Sequence, residues 1–177
     1  RQHYEETIRF LRDKGAPVGG IGMQGHFGWQ PTPPETLLKI LDRFGRLGPA
    51  IEVTEFDVAA ADEAYQAAYL RDFLTVLFSH PAVAGFTMWG FWEGAHWRPE
   101  AAMFRRDWSM KPNAKAYREL VYKQWWTQAA GRSDAQGVYR VRGFQGQYQI
   151  EARHEGKTQS RQATLGPEGA KVTARLP

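Results

Sequence analysis

Residues 51–58 read Ile51-Glu52-Val53-Thr54-Glu55-Phe56-Asp57-Val58, and this run decides how the chain folds. It is short, apolar and rich in β-branched side chains, and it delivers two carboxylates two positions apart at its end. Strand side chains alternate faces, so Glu55 and Asp57 point to the same side. A hydrophobic strand ending in paired acids suits an enzyme that places charge at the mouth of a parallel sheet.

The flanking segments supply the layers. Residues 4–14 predict an amphipathic helix with Tyr4, Ile8 and Leu11 on one stripe and Gly15 as its stop. Residues 19–24 form a short Gly-rich strand, and residues 26–34 a loop that ends in a Pro-rich helix start. Leu37, Leu38, Leu41 and Phe44 are the buried stripe of the next helix, which stops at Gly45. Residues 60–79 are a long helix with Tyr65, Ala68, Tyr69, Phe73, Val76 and Leu77 in register. Residues 83–89 are a third strand, 90–111 a long loop, and Pro112 opens a last helix reaching Trp125.

This order, α, β, α, β, α, β, α, calls for parallel βαβ units with right-handed crossovers. Three strands do not close a barrel, and a half-sheet leaves exposed edges. The expectation is therefore an α/β chain holding the C-terminal portion of a (β/α)8 TIM barrel. Polar and aromatic residues gather after each strand: Gln24 and His26, then Glu55 and Asp57, then Trp89 with its loop. That is the catalytic face of such barrels. The chain opens at Arg1 within a predicted helix, which reads as an internal fragment.

The composition changes after Trp126. Residues 127–136 read as a linker, and 137–177 as a small antiparallel β module of about four strands, because period-two runs there are punctuated by Gly. Tyr139 and Phe144 are its expected core.

Composition excludes several classes. The 177 residues contain no cysteine, so there is no disulfide framework and no thiol chemistry. The net charge of +4 is mild and the basic residues are dispersed, which argues for a solvated surface and against nucleic-acid binding. No apolar run is long enough to cross a membrane. Six of the seven Trp fall between positions 89 and 126. Trp is seldom left in solvent, so the cluster is either core packing or a platform for a flat apolar ligand face such as a pyranose ring.

Four residues are candidates for chemistry at the strand ends. Glu55 can be a surface carboxylate, or a nucleophile or general base. His26 at the neighbouring strand end can bridge Asp57 and Glu55 and keep Glu55 oriented. Gln24 faces the same way. In the loop, Trp89 and Trp97 suit a floor and lid for a sugar, whose C–H face stacks on aromatic rings. Glu93 and His96 either bind substrate or solvate the loop. A metal held by His26, Glu55, Asp57 and His96 lacks any dense ligand spacing, and none is expected.

Three ordered blocks together resemble glycoside hydrolase family 10, the endo-1,4-β-xylanases. They are Gly20-Ile21-Gly22-Met23-Gln24-Gly25-His26, then Ile51-Glu52-Val53-Thr54-Glu55-Phe56-Asp57, then Gly85-Phe86-Thr87-Met88-Trp89-Gly90 with Trp97-Arg98. Their order is similar to strands six, seven and eight of that family's barrel, and the resemblance covers residues 1–126.

The resemblance implies hydrolysis of β-1,4-xylosidic bonds in xylan with retention, no cofactor and a secreted or periplasmic setting. It implies that Glu55 is the nucleophile, supported by His26 and Asp57. Gln24, Trp89, Trp97 and Arg98 are then substrate-binding. The family's acid/base glutamate lies in an Asn-Glu motif after the fourth strand, and this chain has no Asn-Glu pair. Retention needs both carboxylates, so the expectation is a fragment inactive alone, its partner being the N-terminal half of the barrel. Phe56 stands where Leu is usual, and the loop Phe91-Trp92-Glu93-Gly94-Ala95-His96 departs from the family's Asp/Ser-rich loops. Two other readings stay open: a carbohydrate-binding or structural piece, and a barrel hydrolase of another β-glycan.

Overall fold

A computed structural model of the chain describes residues 1–176. It divides into two compact units, Arg1–Leu120 and Val121 onward, a division that falls earlier than the expected boundary at residue 126.

The first unit alternates helix and strand. Its elements are α1 (Gln2–Asp13), β1 (Gly20–Phe27), α2 (Pro34–Gly45), β2 (Ala50–Val58), α3 (Glu63–Ser79), β3 (Val83–Phe86) and α4 (Pro112–Glu119). The three strands pair in parallel in the order β1-β2-β3. The starts of α2, α3 and α4 have local causes. Pro34 and Pro112 sit in the first turns of α2 and α4, where a missing N–H costs nothing. Asp62 caps α3, accepting from the backbone N–H of Ala64 at 2.8 Å and of Tyr65 at 3.1 Å.

The strand β1 runs on to Phe27, so His26 lies within the sheet rather than in the expected loop. The helix α3 begins three residues later than expected. Its buried stripe is Gln66, Tyr69, Leu70, Phe73, Leu74 and Leu77, while Tyr65 on the expected stripe is exposed. In α2, Leu37, Leu41 and Phe44 are buried and Leu38 is exposed. A π-helical turn at Leu120–Gln124 takes the place of a straight run to Trp125.

The decisive irregularity is in β2. Register runs Met23 to Val53 and then Gln24 to Glu55, leaving Thr54 without a partner. This one-residue bulge flips the alternation of the strand. An unbroken strand would put Glu55 and Asp57 on the face of Ile51 and Val53. Instead Ile51, Val53, Phe56 and Val58 are all buried on the apolar side, and the two acids turn to the other. There Gln24 lies opposite Glu55 and His26 opposite Asp57.

The apolar side is an aromatic core. Phe56 is 1% exposed and its ring lies 4.5 Å from Phe73, 5.3 Å from Phe86 and 5.9 Å from Phe27. Phe27 in turn meets Tyr69 edge-on at 5.3 Å. Gly25 makes room for this: a Cβ there would sit 3.2 Å from the Phe27 ring and 3.4 Å from that of Phe56.

The second unit holds one antiparallel hairpin, β4 (Gly146–His154) and β5 (Lys157–Leu165). Glu155 and Gly156 both have positive φ, the signature of a two-residue turn whose twist matches the strands. This corrects the expected four strands: residues 138–142 and 171–176 are not in strands. Tyr139 and Phe144 are exposed and form no core. The alternation in those runs is real, but a strand also needs a partner edge with a buried face, and no described side chain of the hairpin is fully buried.

The Phe56 packing predicts that Phe56→Ala costs about 3–5 kcal/mol. Urea unfolding followed by far-UV circular dichroism measures this as a lowered midpoint.

Candidate active site

The bulge and the parallel register build a chain of hydrogen bonds from buried to accessible side chains. Asp57 has no exposed side-chain surface, while His26 and Glu55 are each one-fifth exposed. Asp57 Oδ2 lies 3.0 Å from His26 Nδ1, and Glu55 Oε2 lies 2.9 Å from His26 Nε2. The other oxygen, Oε1 of Glu55, accepts from Gln24 Nε2 at 3.1 Å. The arrangement thus fixes the Glu55 carboxylate in orientation at both of its oxygens.

The loop after β3 closes over this chain. Beyond Phe86 the ladder continues, with Thr87 N–H donating to Val53 O at 2.7 Å and Trp89 N–H to Phe56 O at 3.0 Å. This carries the Trp89 ring to 6.1 Å from that of His26, edge-on. Trp97 stands on the same imidazole, 5.2 Å away and also edge-on. Its indole Nε1–H donates to Asp57 Oδ2 at 2.7 Å. The Arg98 guanidinium lies 4.2 Å over the Trp97 ring, a cation–π contact. Trp89 and Trp97 both keep about half of their surface exposed. All seven residues singled out by sequence therefore come together: Gln24, His26, Glu55, Asp57, Trp89, Trp97 and Arg98.

Two loop residues behave otherwise than expected. Glu93 is bonded within the loop, its Oε2 accepting from the Arg106 N–H at 3.0 Å. His96 neither solvates the loop nor faces solvent. It is 7% exposed, and its Nδ1 accepts from the Arg98 N–H at 3.0 Å. Burial holds its imidazole below the ordinary histidine range, against the pull of Asp57 and Glu100. Among the described residues no group of three or more His, Cys, Asp or Glu could hold a metal ion.

Sequence reasoning missed the residues that anchor the loop from behind. Gln66 Nε2 in α3 donates to Ala60 O and, at 2.8 Å, to Glu100 O. Asn113 Nδ2 donates to Ala102 O at 3.2 Å and to Gln66 Oε1 at 3.4 Å. Lys111, only 4% exposed, donates to Glu100 O at 3.1 Å. The available signal was Gln66, a polar residue at a core position of the helical period, where a buried amide must find partners.

Comparison with known proteins agrees with this geometry. The family model of glycosyl hydrolase family 10 matches residues 1–122. The chain belongs to glycosyl hydrolase family 10. It is 37% identical over 150 residues to endo-1,4-beta-xylanase 1 of Arabidopsis thaliana, covering 85% of this chain and 16% of that protein. It is 38% identical over 152 residues to anti-sigma-I factor RsgI6 of Acetivibrio thermocellus, covering 85% of this chain and 20% of that protein. Among solved structures, xylanase 10B from Thermotoga petrophila RKU-1 in complex with xylobiose superposes with a TM-score of 0.62 at 29% identity. That match covers 68% of this chain and 41% of the other. The chain thus spans a fifth or less of these curated relatives, and two fifths of the solved xylanase. Family 10 is a family of glycoside hydrolases, and its barrel is the fold of the matched part.

The Trp97–Asp57 bond joins an exposed loop to a buried carboxylate. Trp97→Phe is expected to lower stability by about 1–3 kcal/mol, the cost of removing a donor from a buried charged acceptor. Urea unfolding of the variant beside the parent measures it.

Proposed function

We propose that this chain supplies the nucleophile side of a retaining endo-1,4-β-xylanase, with Glu55 as nucleophile. The observation that carries the reading is the hydrogen-bond chain Asp57–His26–Glu55, completed by Gln24 on the other Glu55 oxygen. A carboxylate that is accessible, held at both oxygens and flanked by half-exposed indoles is built to meet a sugar ring. The names of the xylanase relatives support the substrate class, a β-1,4-linked xylose polymer.

In this reading the three strands are the sixth, seventh and eighth of the barrel. Glu55 attacks the anomeric carbon as the glycosidic C–O bond breaks and the leaving oxygen takes a proton from the acid/base glutamate. Water, deprotonated by that same glutamate, then hydrolyses the covalent glycosyl-enzyme and frees Glu55. His26, donating to Glu55, steadies the anion before attack, and Asp57 holds His26 in place. Trp89 and Trp97 face the sugar, and Gln24 and Arg98 contact its hydroxyls. The acid/base glutamate, about 5–5.5 Å from the nucleophile in retaining enzymes, comes from the barrel strands that precede these. The N-terminal half of the barrel is thus the required partner, and the chemistry needs no cofactor. Residues 1–126 form the barrel part in this scheme, and 137–177 a separate module.

The anti-sigma-I factor at 38% identity favours a second reading. A similar stretch in a protein named for regulation is compatible with the non-catalytic alternative, a piece that binds carbohydrate without cleaving it.

One experiment separates these readings. The full-length parent and its Glu55→Ala variant are assayed for reducing-sugar release from xylan and for retention on insoluble xylan. The expected result is a loss of hydrolysis of at least about 10³-fold with retention kept. Near-parental hydrolysis by the variant would overturn the nucleophile assignment. A parent that binds xylan and releases no sugar would establish the second reading.

A further inference from the structure

His96 is the one histidine of the site that touches neither carboxylate. It is buried, its Nε2 is buried without a hydrogen-bond partner, and its Nδ1 accepts the Arg98 N–H. An Nδ1 that accepts carries no proton, so the ring is neutral with its hydrogen on Nε2. The ring is also held by packing. Gly90, at φ +84°, lies so close that a Cβ there would sit 3.0 Å from His96 Cδ2. The left-handed backbone favours Gly, and it lets the loop turn directly after Trp89 and seat the imidazole.

What His96 holds is the part of the loop that reaches the site. Its neighbour Trp97 donates to Asp57, and Arg98, whose N–H it binds, lies over the Trp97 ring. The far end of Arg98 reaches Phe27 O at 3.5 Å. The short arm Trp97-Arg98 is therefore pinned at three points: Asp57 in β2, Phe27 in β1 and the His96 ring. The first two lie on the sheet. Only the third belongs to the loop itself.

We propose that His96 is a positioning residue that sets the Trp97-Arg98 arm against Asp57 as long as its imidazole stays neutral. Protonation at Nδ1 would replace the acceptor with a second donor, and the Arg98 N–H would lose its partner. The charged groups that face His96 pull in both directions. Asp57 of β2 and Glu100 of the turn after Arg98 favour the cation, whereas Lys111 and burial oppose it. Burial is the largest of these effects, so the arm is released only below the ordinary histidine value of 6.5.

The proposal rests on the reading of Trp97 as a sugar-facing residue, and its test separates the two. The Trp97 indole Nε1–H signal, assigned with Trp97→Phe, is followed by ¹⁵N–¹H NMR in the full-length protein from pH 8 to pH 4. This readout needs no activity. The signal is expected to shift on acidification below pH 6.5, and to shift already at pH 7.5 in His96→Ala. His96→Asn, whose side-chain oxygen can accept the same N–H, is expected to restore its position and remove the pH dependence. With xylan oligosaccharides, His96→Ala is expected to raise KM about tenfold with kcat within about threefold.

A Trp97 signal unmoved in His96→Ala overturns the proposal. So does a pH shift that persists in His96→Asn. If His96→Ala fails to fold, His96→Asn decides alone: the pH dependence must vanish with the imidazole. Failure of the Glu55 assignment shows itself only in the hydrolysis assay and leaves this NMR result standing.

Discussion

One unpaired residue, Thr54, governs the molecule. A strand in a half-buried sheet has two faces and a period of two, so every apolar residue and every functional residue must agree on parity. In β2 they do not. Ile51 and Val53 are odd, and so are Glu55 and Asp57, while Phe56 and Val58 are even. The bulge resolves the conflict by changing parity between the two groups. Below it the strand buries Ile51 and Val53 in the helix layer. Above it the strand buries Phe56 and Val58 in that same layer and turns both acids towards Gln24 and His26. Core and site are thus made by one strand at the cost of one unpaired residue.

The second requirement is electrostatic. A buried carboxylate is tolerated only where donors replace the water it has lost. Asp57 receives His26 from the adjacent strand and Trp97 from a loop that folds back from β3, both at Oδ2, while Oδ1 is buried without a partner. Its burial therefore does two things. It orients the imidazole that reaches Glu55, and it ties the aromatic loop to the sheet. The loop is held on its opposite side by Gln66, Lys111 and Asn113, whose amide and ammonium groups take up backbone carbonyls in the interior. Exposed rings at Trp89 and Trp97 can stand at a fixed angle because the segment beneath them is bonded from both sides.

Much of this was legible in the sequence. The alternation of helical and strand periods predicted the parallel sheet. The residue types at the strand ends predicted which side chains converge, because position on a parallel sheet's C-terminal edge follows from strand order alone. The bulge was not legible: nothing in Val53-Thr54-Glu55 distinguishes an unpaired threonine from a paired one until the neighbouring strand is in place. His96 was misread for a related reason. A histidine in a polar loop looks solvated, and its burial depends on Gly90 bringing the chain back onto it. The C-terminal alternation was read as more strands than form, since period two describes a compatible surface and supplies no partner to cover it.

Gln24, His26, Glu55, Asp57 and Trp97 come from one unbroken stretch, and the hydrogen bonds that link them join residues 29 to 40 positions apart. The Glu55 carboxylate and the side chains bonded to its two oxygens, Gln24 and His26, are therefore inherited together. A break within that stretch separates the carboxylate from part of its support, while Lys111 and Asn113, which hold the loop from behind, lie beyond it. A segment of this kind can be inherited as a unit, and similar stretches occur both in a plant protein named as an endo-1,4-beta-xylanase and in a bacterial protein named as an anti-sigma-I factor.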